Sequence, residues 1–100
     1  MDSLKNKKVL IVGATGGIGA HLVKLIYNSG AQVWIAGRQF AKLNLIAETN
    51  QLPASQILEV DLSNSDSVQN FVKKIENESF DIYINAAGIG IIKPLNQLEV

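Results

Sequence analysis

One hundred residues, 47% of them hydrophobic and 18% charged, with nine basic and nine acidic side chains, describe one compact water-soluble domain spanning 1–100. A chain of this length buries roughly 60 to 70% of the surface its unfolded form exposes, enough for a core that needs neither metal nor disulfide. A formal charge of zero gives no general attraction for phosphate backbones or anionic lipid, which argues against nucleic-acid and membrane partners, and zero cysteines with one histidine, His21, argue against thiolate chemistry and a metal site.

Lys5, Lys7 and Lys8 precede an apolar stretch, the order found in a secretory leader, but Gly13, Gly16, Gly17 and Gly19 break it where it would have to be continuous. No apolar run approaches the about 20 residues that span a bilayer, so the expected location is the cytoplasm. Val9 to Val12 is a continuous apolar run closed by Gly13, which predicts a strand buried on both faces. From Gly17 to Ser29, Ile18, Leu22, Leu25 and Ile26 recur at helical spacing, and Gly30 supplies a stop. His21 falls on the exposed side of that helix.

Gln32 to Ala36 reads as a second strand ended by Gly37, with Trp34 in the core. Phe40, Leu43, Ile46 and Ala47 give a weaker helical stripe before Pro53 forbids continuation. Ile57 to Val60 is a third strand. Ser63 is the expected N-cap of the next helix, with Asp66 three residues on and Val68, Phe71, Val72 and Ile75 along one face. Asp81 to Asn85 makes a fourth strand that runs into a glycine-rich loop through Gly90, and after Pro94 a new amphipathic pattern begins at Leu95 and Leu98.

Strands alternating with helices long enough to return the chain parallel to itself predict an α/β doubly wound sheet, with ligands at the carboxyl ends of its strands. Gly13-Ala14-Thr15-Gly16-Gly17-Ile18-Gly19 lies between the first strand and the first helix. There a turn brings backbone N–H groups and a helix dipole against a phosphate, and glycine permits close approach. A tight strand-to-helix turn with extra glycines is the plainer alternative. The common dinucleotide fingerprint would need a third glycine at position 22, which is Leu22.

Gly13-xxx-Gly17-x-Gly19, Asp61-Leu62 after the third strand and Asn85-Ala86-Ala87-Gly88 after the fourth resemble, in order and spacing, the N-terminal cofactor-binding half of the short-chain dehydrogenases/reductases. The resemblance implies a three-layer α/β sheet of Rossmann type, here partial, with strand order 3-2-1-4. It implies a nicotinamide dinucleotide along the strand ends. Gly13, Gly17, Ile18 and Gly19 would surround the pyrophosphate, with Thr15 and Gly16 in the same binding turn. Asp61 and Leu62 would meet the adenine, Asp61 as acceptor for its amino group, and Asn85, Ala86, Ala87 and Gly88 would lie near the ribose and the central strand. Val12 stands where the family commonly has a threonine that ties the glycine turn to the fourth-strand motif. The spacing Gly13-xx-Gly16-xx-Gly19 also fits the family's extended and atypical branches, and the Asn85 to Gly88 motif favours the compact one.

An acidic residue at the end of the second strand would select NAD through the ribose hydroxyls. Gly37 stands there, and Arg38 follows, whose guanidinium can grip a 2′-phosphate, so NADP is expected over NAD, unless Arg38 is merely a solvated residue at a helix start. Hydride transfer in the family uses a tyrosine, a lysine four residues later and a serine. Ala31 and Ala87 stand four residues after Tyr27 and Tyr83, so no catalytic residue is assigned within the 100 residues. The expectation is the N-terminal part of a longer NADP-dependent oxidoreductase, apparently truncated at its C-terminus, with a small-molecule substrate bound only by the full-length form. A stand-alone NADP(H)-binding module and a degenerate half-domain are the alternatives. Ile82, Tyr83 and Ile84 carry no charge and no proline, so an uncovered fourth strand predicts self-association.

Overall fold

Successive residues of a strand point to opposite faces of a sheet, so runs such as Val9 to Val12 can be apolar throughout only if helices cover both faces. The structure, a computed structural model, describes residues 4–86. It has four parallel strands, β1 (Lys8–Val12), β2 (Gln32–Gly37), β3 (Ile57–Glu59) and β4 (Ile82–Asn85), in the order β3-β2-β1-β4. Three helices connect them: α1 (Gly17–Asn28), α2 (Phe40–Asn50) and α3 (Ser65–Ile75). The predicted sheet and strand order are thus observed. Ala87, Gly88, the loop through Gly90 and the pattern at Leu95 and Leu98 lie outside the described residues.

The register sets Ile84, Ile11, Ile35 and Ile57 side by side across the sheet, with Ile82, Val9 and Val33 as a neighbouring row. This face packs against Val23 and Ile26 of α1 and Leu43 and Ala47 of α2. On the opposite face Leu10, Ala36 and Leu58 meet Phe71 of α3 together with Phe80, with Trp34 and Tyr83 packed against them. Trp34 therefore belongs to the core, as expected, although its indole N–H finds no acceptor among the described residues.

β1 is fastened at its amino end. The Lys8 amide donates to Asp81 Oδ2 at 2.8 Å, and the Asp81 amide returns a bond to the Lys8 carbonyl at 2.8 Å. The Lys8 ammonium pairs with Glu78 and lies 5.0 Å from the Trp34 ring centre and 5.2 Å from that of Phe80. Phe80 in turn stands edge-on to Trp34 and Tyr83. Attraction of a cation to two ring faces adds to the ion pair here.

Several local expectations are corrected. In α1 the buried residues are Gly19, Val23 and Ile26, whereas Ile18 and Leu25 are 60% and 50% exposed. The helix turns its glycine toward the sheet because only that face can come close to the preceding turn. Phe40 of α2 and Val72 of α3 are likewise exposed. Gly37 is inside β2, and its carbonyl accepts from Val60 at 2.8 Å. β3 ends at Glu59 and is preceded by an unpredicted 3-10 turn, Ala54–Gln56, from which the buried Gln56 amide donates to the Val33 carbonyl at 2.6 Å.

The cap of α3 is Asn64, not Ser63. Its side-chain oxygen accepts from the Ser67 amide at 2.9 Å, while Ser63 is engaged elsewhere. Asn64→Ala is expected to lower stability by about 1 kcal/mol in denaturant unfolding. A loss that small substitution of Ser63 reproduces through the helix would return the cap to Ser63.

Candidate functional site

The carboxyl ends of β1, β2 and β3 enclose a cavity of about 360 Å³, within the range of pockets that hold small ligands. Val12, Gly13 and Thr15 come from the first strand and its turn. Gly37, Arg38 and Gln39 come from the second, and Val60, Asp61, Leu62 and Ser63 follow the third. Five of the residues singled out from sequence, Gly13, Thr15, Arg38, Asp61 and Leu62, are thereby brought to one place.

The glycine turn divides into two kinds of position. Gly13 has φ 79°, left-handed backbone that favours glycine, and its amide and that of Ala14 both donate to the Ala36 carbonyl, at 2.8 and 3.3 Å. A Cβ on Gly19 would lie 2.4 Å from the Gly13 carbonyl oxygen and 2.8 Å from Ala14 Cα. The fold itself demands glycine at these two. At Gly16 the nearest atom to an added Cβ is 4.0 Å away, and at Gly17 there is none within 4 Å. A tight turn explains the first pair and leaves the second unexplained; open backbone that a ligand can approach accounts for the second.

Gly16 is the extended N-cap of α1, no side chain caps the helix and no acidic residue lies in its first turn. The first amides of a helix have no intrahelical acceptor and carry the positive end of its dipole, which suits an anion. Gly16, Gly17, Ile18 and Gly19 border β1 without lining the cavity. Asn85 and Ala86 also lie outside it, across β1: Asn85 registers with Val12, and the Ala86 amide donates to the Val12 carbonyl at 2.8 Å. The sheet therefore reverses order between β1 and β4, with the glycine turn at the reversal. Ala87 and Gly88, the remaining residues of that motif, lie outside the described residues.

Asp61 is held at one carboxylate oxygen and at its amide. Its Oδ1 accepts from the Ser63 hydroxyl at 2.6 Å and from the Ser63 amide at 3.0 Å, and its own amide donates to Ser67 Oγ at 2.9 Å. The Ser63 hydroxyl and then the Ser63 amide hold the carboxyl below the ordinary aspartate range, against an opposing effect of lost hydration, and the positive charge of Arg38 adds the least. A lowered carboxyl stabilises the fold above the ordinary range, and that contribution disappears as pH falls through it. At neutral pH Asp61 is an anion.

Gln39, Val60 and Ser63 are not among the site residues expected from sequence, where Ser63 reads as a helix cap. Only Ser63 left a signal, an aspartate followed two residues later by serine, the spacing of a side-chain turn. Among the described residues no helix is long and apolar enough to cross a membrane.

A family model described as short chain dehydrogenase matches residues 7–100. The 3-oxoacyl-[acyl-carrier-protein] reductase of Rickettsia typhi is 38% identical over 90 residues, covering 89% of this chain and 36% of its own length. An uncharacterized oxidoreductase of Staphylococcus aureus is 33% identical over 103 residues, covering 100% of this chain and 44% of its own. The chain thus spans less than half the length of these curated relatives. Among solved structures, a short chain dehydrogenase from Shigella flexneri superposes with a TM-score of 0.74 at 25% identity over 86% of this chain and 37% of its own. The 3-ketoacyl-(acyl-carrier-protein) reductase from Brucella melitensis, complexed with NADH, superposes with a TM-score of 0.69 at 29% identity over 81% and 34%.

Proposed function

The chain belongs to the short-chain dehydrogenase family, and from that premise we propose that it is the dinucleotide-binding N-terminal portion of an oxidoreductase that moves hydride between NADP(H) and a carbonyl or alcohol substrate. The observation that carries the reading is the cavity at the ends of β1, β2 and β3, where a glycine turn, Arg38 and an anionic Asp61 converge. The residues suit the group. Gly16 and Gly17 leave their surroundings open, the uncapped start of α1 favours a pyrophosphate, and Gly37 puts no acid at the end of the second strand to repel a 2′-phosphate from Arg38.

In this reading Gly13, Thr15, Gly16, Gly17, Ile18 and Gly19 receive the pyrophosphate, and Arg38 the ribose phosphate. Asp61 accepts from the adenine amino group beside Leu62. The family resemblance assigns Asn85, Ala86, Ala87 and Gly88 to the ribose and the central strand. NADP(H), when bound, supplies or removes the hydride; the 100 residues bind and orient it. A cytoplasmic location is part of the reading.

Calorimetry with NADP and NADPH tests the proposal directly, and absence of binding by the folded chain would overturn it. The same preparation is expected to show no NADPH oxidation with carbonyl substrates. It contains no lysine four residues after either tyrosine to lower a phenol's pKa. Turnover above background would mean that a proton donor has been overlooked among these residues.

A further inference from the structure

Asp61 and Ser63 line the same cavity, and Ser63 gives Asp61 Oδ1 two donors, its hydroxyl at 2.6 Å and its amide at 3.0 Å. Among the described residues no hydrogen-bond donor reaches Oδ2. A carboxylate can rotate and present either oxygen, so an unrestrained Asp61 would meet a ligand in many orientations. Two donors on one oxygen remove that freedom. They leave a single acceptor of defined direction, and it is acceptor-only because the group is ionised.

We propose that Ser63 is a positioning residue for base recognition: by holding Asp61 Oδ1 it presents Oδ2 as the sole acceptor, and so makes the cavity select a purine carrying an exocyclic amino group over one carrying a carbonyl in its place. The inference rests on the dinucleotide reading and deepens it. A purine 6-amino group donates to Oδ2, whereas a 6-oxo group brings lone pairs against the carboxylate charge. The selection needs both the charge and its orientation. Asp61 supplies the first and Ser63 the second.

The two roles separate in a titration of the 100-residue chain with NADP and with nicotinamide hypoxanthine dinucleotide phosphate, which differ at the purine 6-substituent and in the proton the oxo form carries on N1. The parent binds the adenine form more tightly. Ser63→Ala is expected to weaken the adenine form about fivefold, the worth of roughly one hydrogen bond, and to leave the hypoxanthine form unchanged. Ser63→Thr, which keeps the hydroxyl, restores the parent preference. Equal weakening of both forms, or of neither, would overturn the role given to Ser63. A parent chain that binds both forms equally well overturns it too, and leaves the dinucleotide reading standing; one that binds neither overturns that reading as well.

Discussion

Gly19→Ala is expected to remove about 2 kcal/mol or more of folding stability and to abolish dinucleotide binding, while Gly17→Ala in the same turn leaves the fold intact. Alanine ordinarily favours a helix over glycine by about 1 kcal/mol. At Gly19 that gain is overwhelmed, because the new Cβ would sit 2.4 and 2.8 Å from backbone atoms of Gly13 and Ala14, which have no side-chain rotation to relieve the overlap. The helix and the turn must move apart, and the turn is tied to β2 through the Ala36 carbonyl. At Gly17 the Cβ meets nothing, so the fold keeps the helical preference and the expected loss is confined to the ligand. Denaturant unfolding and calorimetry on both variants give the comparison. If the two behave alike, the division of the glycines into folding and binding positions is wrong.

The second large effect is at Arg38. NADP is expected to bind more tightly than NAD, and Arg38→Ala to remove roughly 1.5 to 3 kcal/mol from NADP binding alone, the worth of a hydrogen bond to a charged group. Combining it with Gly37→Asp should reverse the preference, since a carboxylate repels the 2′-phosphate and accepts from free ribose hydroxyls. The substitution is sterically accessible: a Cβ on Gly37 would touch Leu43 Cδ2 at 3.4 Å and Thr15 Cγ2 at 3.6 Å, ordinary contact distances. Arg38 is exposed, so the NADP preference should shrink as salt rises. Equal affinity of the parent for NAD and NADP at low and moderate salt would remove the case for a phosphate contact.

The strands were legible because residues buried on both faces cannot be polar on either, and β1, β2 and β4 read as unbroken apolar runs. The strand ends then pointed to the cavity, since ligands of parallel sheets gather there. The buried side of α1 was hidden by two competing apolar stripes. Hydrophobicity favoured Ile18, Leu22, Leu25 and Ile26, but the close approach at Gly19, a residue with no side chain to register on such a scale, brings Val23 inward beside Ile26, keeps Leu22 half-buried and leaves Ile18 and Leu25 exposed. Ser63 and Asn64 are both good caps by type. What separates them is that Asp61 claims the Ser63 hydroxyl, a tertiary fact about the site. The turn at Ala54–Gln56 answers to the Val33 carbonyl 23 positions away, which no local pattern encodes.

The fastening at Lys8 sits at the opposite end of β1 from Gly13. One end of the central strand holds an ion pair, two aromatic rings and a reciprocal pair of bonds with Asp81; the other holds the glycine turn and the open cavity. Spatial separation of this kind lets substitutions add nearly independently. A lineage can therefore retune which dinucleotide or base it accepts, at Arg38, Asp61 and Ser63, without reopening the question of whether the sheet assembles, and can drift in melting temperature at Lys8 and Glu78 without altering what it recognises. The fold keeps innovation and robustness at different ends of one strand.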